Sequence, residues 1–230
     1  MISPPEDYAG EAGHWRQAIR DNLGSGRHHL LELGVGGGHN LSHLTSEFQA
    51  TAVDISPQML DLSRQLNPTV DHHLDDMRTV RLGRKFDAVL IHDAIAYMLT
   101  EDDLRATLTT AKVHLSYGGL LLVAPDLVRD EFTDGVVLRW SSKKDGIEVE
   151  IEERISDPDP SDTVVESLYT YTIREGGTER VERDTHISGL FSIATWTRLF
   201  EEASFEVERI PLPGYQGYGE HLFRGILRQR

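Results

Sequence analysis

The sequence predicts an α/β fold: a Rossmann-like, seven-stranded, mostly parallel sheet with helices on both faces, plus an inserted antiparallel β-meander. Three observations predict it. An apolar run, Leu30 to Leu33, breaks into the turn Gly34-Val35-Gly36-Gly37-Gly38, and Asp54 stands 20 residues after Gly34 at the end of a second apolar run. Apolar runs of strand length alternate with amphipathic runs of helix length through the first half of the chain. From about Gly135 to Ile187 the hydrophobic period shortens to that of exposed strands.

Each element has a local cause. His29 to Leu33 reads as a buried strand. Leu41, Leu44 and Phe48 follow the glycines at helical spacing. Ala50 to Asp54 is the second strand. Ser56-Pro57 starts a helix, with Ser as N-cap and Pro at the first helical position. Met59, Leu62 and Leu66 form its apolar face, and Asn67-Pro68 ends it. Val70 to Leu74 is a third strand and Phe86 to His92 a fourth. Thr100 followed by Glu101, Asp102 and Asp103 is an N-cap with acids where the helix dipole favours them. Leu104, Leu108, Ala111 and Leu115 carry that helix to Gly118-Gly119, and Leu120 to Ala124 is the fifth strand. Buried strands alternating with helices give a parallel sheet covered on both faces.

The meander is punctuated by Lys143-Lys144-Asp145-Gly146, Asp157-Pro158-Asp159-Pro160 and Glu175-Gly176-Gly177. Ser192 then caps a helix carrying Trp196, Leu199, Phe200 and Ala203, and Phe205 to Pro211 and Leu222 to Leu227 close the sheet. The expected organisation is one domain over 1–230. A cofactor-binding core spans 28–132, inserted strands span 133–188 as a lid or dimer contact, and 189–230 complete the core.

Charge and composition narrow the function. The chain has 38 Asp+Glu against 23 Lys+Arg, a net charge of −15. Such a surface repels phosphate backbones, so nucleic acid is not the expected partner. With 0 cysteines, disulfides, thiolate metal sites and Cys nucleophiles are excluded. No metal is expected from the 11 histidines either: His39 and His43 are one helical turn apart without a Glu between them in metal-binding context, and the His28-His29 and His72-His73 doublets alternate faces on strands. Met1 to Tyr8 is polar, and no run approaches the ~18 apolar residues of a membrane span. A cytoplasmic protein is the expected reading.

The glycine loop carries the ligand class. A dinucleotide fingerprint is Gly-x-Gly-x-x-Gly, whereas here Gly34, Gly36 and Gly38 alternate and His39 occupies the dinucleotide's third glycine position. Glu32, two residues before the loop, would repel a pyrophosphate and attract a cationic amino acid. These residues resemble the first motif of the class I S-adenosylmethionine-dependent methyltransferases. The resemblance implies that S-adenosylmethionine is the cofactor, that Asp54 binds the ribose hydroxyls, and that Ile55 packs on adenine. It also implies that Asp76-Met77 lies near adenine, Asp76 accepting from the exocyclic amine, with Asp75 as the competing carboxylate. Phe86-Asp87-Ala88-Val89 with His92-Asp93 is similar to the fourth-strand motif near the methionine end, and Gly118-Gly119-Leu120-Leu121 to the turn into the fifth strand. Asp76-Met77-Arg78 with Arg81-Leu82-Gly83-Arg84-Lys85-Phe86 is similar, more narrowly, to the deoxyaminosugar N,N-dimethyltransferases. The chain departs from that subgroup at His92-Asp93 and in the segment Tyr215 to His221.

The cofactor residues expected are therefore Glu32, Gly34, Gly36, Gly38, Asp54, Ile55, Met59, Asp76, Met77 and His92. Met59 is also a core candidate. His92, His186, His221 and Asp126 are candidates for the general base that a hydroxyl acceptor needs. Tyr8, Trp15, Asp93, Tyr97 and Asp126 are candidates to meet the substrate, Tyr8 and Trp15 from an N-terminal helix that is either a lid or ordinary packing. The function expected is N- or O-methylation of a small molecule, an amino sugar or another natural-product intermediate. A protein or RNA methyltransferase and an inactive cofactor-binding scaffold are the alternatives, and a homodimer is left open.

Overall fold

The computed structural model describes residues 4–212 and 221–229, so Tyr215 to Glu220 lie outside the described residues. A 3₁₀ turn (Pro5–Tyr8) leads into α1 (Ala9–Leu23). The core then runs β1 (His29–Leu33), α2 (His39–Ser42), β2 (Gln49–Asp54), α3 (Pro57–Leu66), β3 (Asp71–Leu74) and β4 (Phe86–Ile91). A second 3₁₀ turn (Asp93–Tyr97), α4 (Glu101–His114) and β5 (Leu115–Val123) follow. Four long strands come next: β6 (Val136–Lys144), β7 (Ile147–Ser156), β8 (Val164–Glu175) and β9 (Thr178–Gly189). The described chain ends with α5 (Ile193–Glu202), β10 (Phe205–Pro211) and β11 (His221–Leu227).

The main sheet has seven strands in the order β3-β2-β1-β4-β5-β11-β10. The first five are parallel, β11 runs antiparallel to both of its neighbours, and β10 returns to the direction of the first five. Strand order reverses between β1 and β4, where the chain leaves to one side for β2 and β3 and returns on the other. Crevices for ligands form at the carboxyl ends of such strands. Glu32 pairs with Leu90 across this junction, so the end of β4 delivers His92 beside Glu32.

Alternation of side chains along the strands builds two cores. Leu31, Leu33, Val89, Ile91, Leu121 and Val123 face Leu104 and Leu108 of α4 and Trp196 and Phe200 of α5. Leu30, Ala88, Leu90, Leu120 and Leu122 face the other way, onto Trp15 and Ile19 of α1 and Leu60 of α3. Strands β6 to β9 form a separate four-stranded antiparallel sheet. Its hairpins turn at Asp145-Gly146 and Gly176-Gly177, all at positive φ (52°, 82°, 57° and 82°), as two-residue hairpins require. Among the described residues, no helix is long and apolar enough to cross a membrane.

Three local expectations need correction. In α3 the buried positions are Leu60 and Ser63, while Met59 and Leu62 are exposed. The helix turns a polar strip inward because Asn67 Nδ2 donates to the Gly38 carbonyl at 2.9 Å and Ser63 Oγ lies at 2.8 Å from His72 Nε2. Leu41, Leu44 and Phe48 are buried as expected, but α2 covers only His39–Ser42. Helix α4 stops at His114, and β5 starts at once. Lys85 Nζ donates to the carbonyls of Val113 and Leu115 at 2.9 and 3.0 Å, satisfying acceptors that a helix end leaves open.

Candidate active site

The glycine loop is shaped by close approach. Gly34, Gly36 and Gly38 have φ of 80°, 55° and 75°, a region that side chains disfavour. A Cβ on Gly34 would lie 2.3 Å from Ala94 Cβ and 2.8 Å from Met77 Cε. One on Gly38 would lie 2.3 Å from Ser63 Oγ and 2.4 Å from Asn67 Nδ2. Gly36 instead faces open space. Asp54 ties the loop down: its Oδ2 accepts from Gly36 N–H at 2.7 Å and its Oδ1 from Ser56 N–H at 2.8 Å. Ile55, Met59 and Leu74 expose apolar side chains beside this carboxylate, with Leu74 paired to Asp54 across the strands. Exposed apolar side chains at a crevice suit an aromatic ring, and sequence reasoning missed Leu74 because it reads as an ordinary strand residue.

Asp76 is held by its neighbour. Arg78 donates Nε and Nη2 to its carboxylate at 3.0 and 2.7 Å and Nη1 to Asp103 at 2.7 Å. The Arg78 hydrogen bond holds the Asp76 carboxyl below its usual range, against some desolvation. Arg78 N–H also donates to Oδ1, so Asp76 spends its acceptor capacity on Arg78 while Asp75 is exposed.

At the switch point the site turns acidic. Glu32 is 4% exposed, and its Oε2 is buried without a hydrogen-bond partner. Burial pushes its carboxyl up to about 8, His92 opposing and Glu11, Asp93 and Asp54 reinforcing the rise. His92 meets Glu11 of α1 through Nε2 and Asp93 through Nδ1, the latter at 2.8 Å. Burial alone would lower its pKa, but Asp93 and Glu11 hold it well above the ordinary value. Both ring nitrogens face carboxylates, an arrangement that favours the charged ring, and ligand atoms of Glu11, His92 and Asp93 lie within 4.8 Å of one another. His92 is thus corrected from a general-base candidate to a fixed cation. Trp15 packs on its ring at 5.4 Å and is 1% exposed, so Trp15 forms a wall behind His92 and does not meet a substrate. Tyr8 lies 5.3 Å from the His39 ring, over α2.

A cavity of about 100 Å³ lies between the main sheet and the meander. Asp93, Tyr97 and Asp126 line it from the core, and Glu153, Tyr169 and His186 from the meander. Burial and the Asp93 charge raise the Asp126 carboxyl well above its ordinary value, and the two carboxyls share a hydrogen bond. His186 Nε2 lies 3.2 Å from Asp184 and its Nδ1 3.2 Å from the Tyr97 hydroxyl. His221 is elsewhere: its Nε2 is paired with Glu131 at 2.9 Å at the start of β11, and it is not among the described residues that line this cavity. Sequence reasoning missed Glu11, which no motif marks, and Glu153.

The residues present fit the expected cofactor. The orphaned Glu32 oxygen needs a donor of the kind an ammonium supplies, the Gly36 face is open, and apolar side chains are exposed beside Asp54. Residues 30–119 match the model of a methyltransferase domain family. The chain is 32% identical, over 96% of its length and 92% of the other, to a dTDP-3-amino-3,4,6-trideoxy-α-D-glucopyranose N,N-dimethyltransferase of Streptomyces venezuelae. It is 29% identical, over 96% of its length and 86% of the other, to a dTDP-4-amino-2,3,4,6-tetradeoxy-D-glucose N,N-dimethyltransferase of Saccharopolyspora spinosa. Among solved structures it superposes on Streptomyces venezuelae DesVI with a TM-score of 0.87 at 29% identity, covering 96% of this chain and 92% of that one. It superposes on S-adenosylmethionine-bound CalS10, an amino pentose methyltransferase from Micromonospora echinaspora, with a TM-score of 0.86 at 25% identity, covering 95% and 91%. The chain belongs to the S-adenosylmethionine-dependent small-molecule methyltransferases, in the family of the deoxyaminosugar N,N-dimethyltransferases.

Proposed function

We propose that the chain methylates the amino nitrogen of a deoxyamino sugar, adding two methyl groups in successive turnovers. The observation that carries this reading is the acidic cavity between the main sheet and the meander, lined by Asp93, Asp126 and Glu153 with Tyr97 and Tyr169. Carboxylates and aromatic faces suit an acceptor that is a cation before and after the reaction. The related enzymes named above act on amino sugars linked to a nucleotide, which supports the same acceptor class here.

Glu32, Asp54 and the Gly34–Gly38 loop would hold the cofactor, with Ile55, Met59, Leu74 and Met77 beside its base. Bound there, the cofactor supplies an electrophilic methyl group on a sulfonium. That methyl would pass to the lone pair of the acceptor nitrogen, leaving a methylated ammonium and a thioether. Before each attack the nitrogen must shed a proton. Asp93, a carboxylate on the cavity wall, would take it, although His92 and the hydrogen bond from Asp126 hold its own proton affinity down. The rest of catalysis is alignment, a contribution worth roughly 7–11 kcal/mol when the reacting atoms are well placed.

The test is a methyl-transfer assay with dTDP-3-amino-3,4,6-trideoxyglucose and its 3-hydroxy counterpart, read by mass spectrometry. Mono- and dimethylated amine without methylated hydroxyl is the expected result. Methyl transfer to the hydroxyl sugar alone would overturn the reading.

A further inference from the structure

Strand β7 presents Val149, Ile151, Glu153 and Ile155 to the interior, exposed by 5, 2, 2 and 3% respectively. Period-2 patterning asks for an apolar side chain at each of these positions. Three comply and the fourth is a carboxylate. Burying a carboxylate is costly unless it is hydrogen-bonded or meets a cation. Among the described residues, the hydroxyl of Tyr169, directly opposite on β8, bonds to Glu153 and offsets part of this cost. Burial first, then that bond and the Glu153 charge, push the Tyr169 phenol up, so it stays protonated and donates. The carboxylate lines the cavity that Asp93 and Asp126 enter from the opposite wall. Tyr169 is held in place by the His186 ring at 5.0 Å and the Tyr171 ring at 6.1 Å.

We propose that Glu153 is the acceptor's anchor: its carboxylate takes a hydrogen bond from the amino group on the meander side, selecting amine over hydroxyl acceptors. This rests on the amino-sugar reading above and adds a division of labour. Asp93 and Asp126, from the core, handle the proton. Glu153, from the meander, holds the nitrogen, and the bond persists through both transfers because each ammonium product still carries an N–H. An incoming hydroxyl also donates to a carboxylate but brings no charge, so the preference comes from the charge-assisted part of the bond.

The experiment measures binding of the amino sugar nucleotide and of its 3-hydroxy counterpart by calorimetry, with S-adenosylhomocysteine present. Wild type, Glu153→Gln and Tyr169→Phe are compared, and the melting temperature of each is recorded. Wild type should prefer the amine. Glu153→Gln should bind the amine at least tenfold more weakly, bind the hydroxyl sugar about as before, and melt no lower than wild type. Tyr169→Phe, which keeps the ring packing and only frees the carboxylate, should lose a smaller part of the preference and serves as the readout if Glu153→Gln does not fold. A wild type that prefers the amine, with variants whose preference is unchanged, overturns the anchor while leaving the amino-sugar reading intact. A wild type without preference overturns both.

Discussion

The backbone N–H of Gly36 donates to Oδ2 of Asp54 at 2.7 Å, so the glycine loop and the carboxylate at the end of β2 form one unit before a ligand arrives. Asp54→Ala therefore removes two things at once, the loop's anchor and the acceptor for the ribose hydroxyls. Each charge-assisted hydrogen bond lost should cost about 1.5–3 kcal/mol of cofactor affinity. Calorimetry with S-adenosylhomocysteine should show a loss of tenfold or more, and an unchanged affinity would remove Asp54 from the site.

Gly34 is required for space as well as for backbone conformation. In Gly34→Ala the new methyl meets Ala94 Cβ, which cannot swing aside, and the residue keeps a φ of 80°. The left-handed conformation alone costs roughly 1–2 kcal/mol in a side-chain-bearing residue. Urea unfolding should show a loss beyond that figure. Adding Ala94→Gly should recover the steric part and leave the conformational part. No recovery in the double variant would mean that the contact relaxes by another route.

Much of this site was legible in sequence because its physics is local. The glycines, Asp54 and the two flanking strands form a contiguous pattern with fixed spacing, and the caps at Ser56, Thr100 and Ser192 each sit where their side chains bond. What stayed hidden depends on distant chain. Met59 and Leu62 looked like the inward face of α3, but Ser63 and Asn67 face inward because Gly38 needs them there. No motif marks Glu11, which α1 packs against His92 from 81 residues away. The alternation of β7 is plain in sequence and puts Glu153 on the face of Val149, Ile151 and Ile155, yet nothing local says that this carboxylate meets a cavity shared with Asp93 and Asp126. Arg78 likewise claims Asp76 only through local folding after β3 that the motif does not encode.

Glu32 makes the ligand-free protein sensitive to alkali. Its folded-state pKa is raised from 4.5 to about 8, chiefly by burial. A raised carboxyl contributes stability in full below the unfolded value and loses it as pH rises through the folded one. Between about pH 5 and pH 9 the wild type should therefore lose a few kcal/mol relative to Glu32→Gln, which carries no proton to lose. Melting curves over this range test it. The Gln variant should be the more stable at alkaline pH and also the weaker cofactor binder. Parallel pH profiles for the two proteins would place the raised group elsewhere.

His92 ties the N-terminal helix to the switch point through charge. Burial opposes its protonation, but Asp93 and Glu11 on either ring nitrogen hold its pKa well above 6.5. The sign is that of a raised histidine: the bridge contributes fully below the unfolded pKa and is lost as pH rises through the folded one. The imidazolium should thus remain protonated above neutral pH in an NMR titration of the ring. Glu11→Gln removes one of the two anions and should lower that titration midpoint, while the Asp93 contact keeps it from falling to that of an isolated buried histidine. The same variant should weaken the docking of α1, seen as faster amide exchange around Ala12, Trp15 and Ile19, which are buried in wild type. A midpoint indifferent to Glu11→Gln would show that Asp93 alone fixes the charge of His92 and that α1 is held by its apolar face.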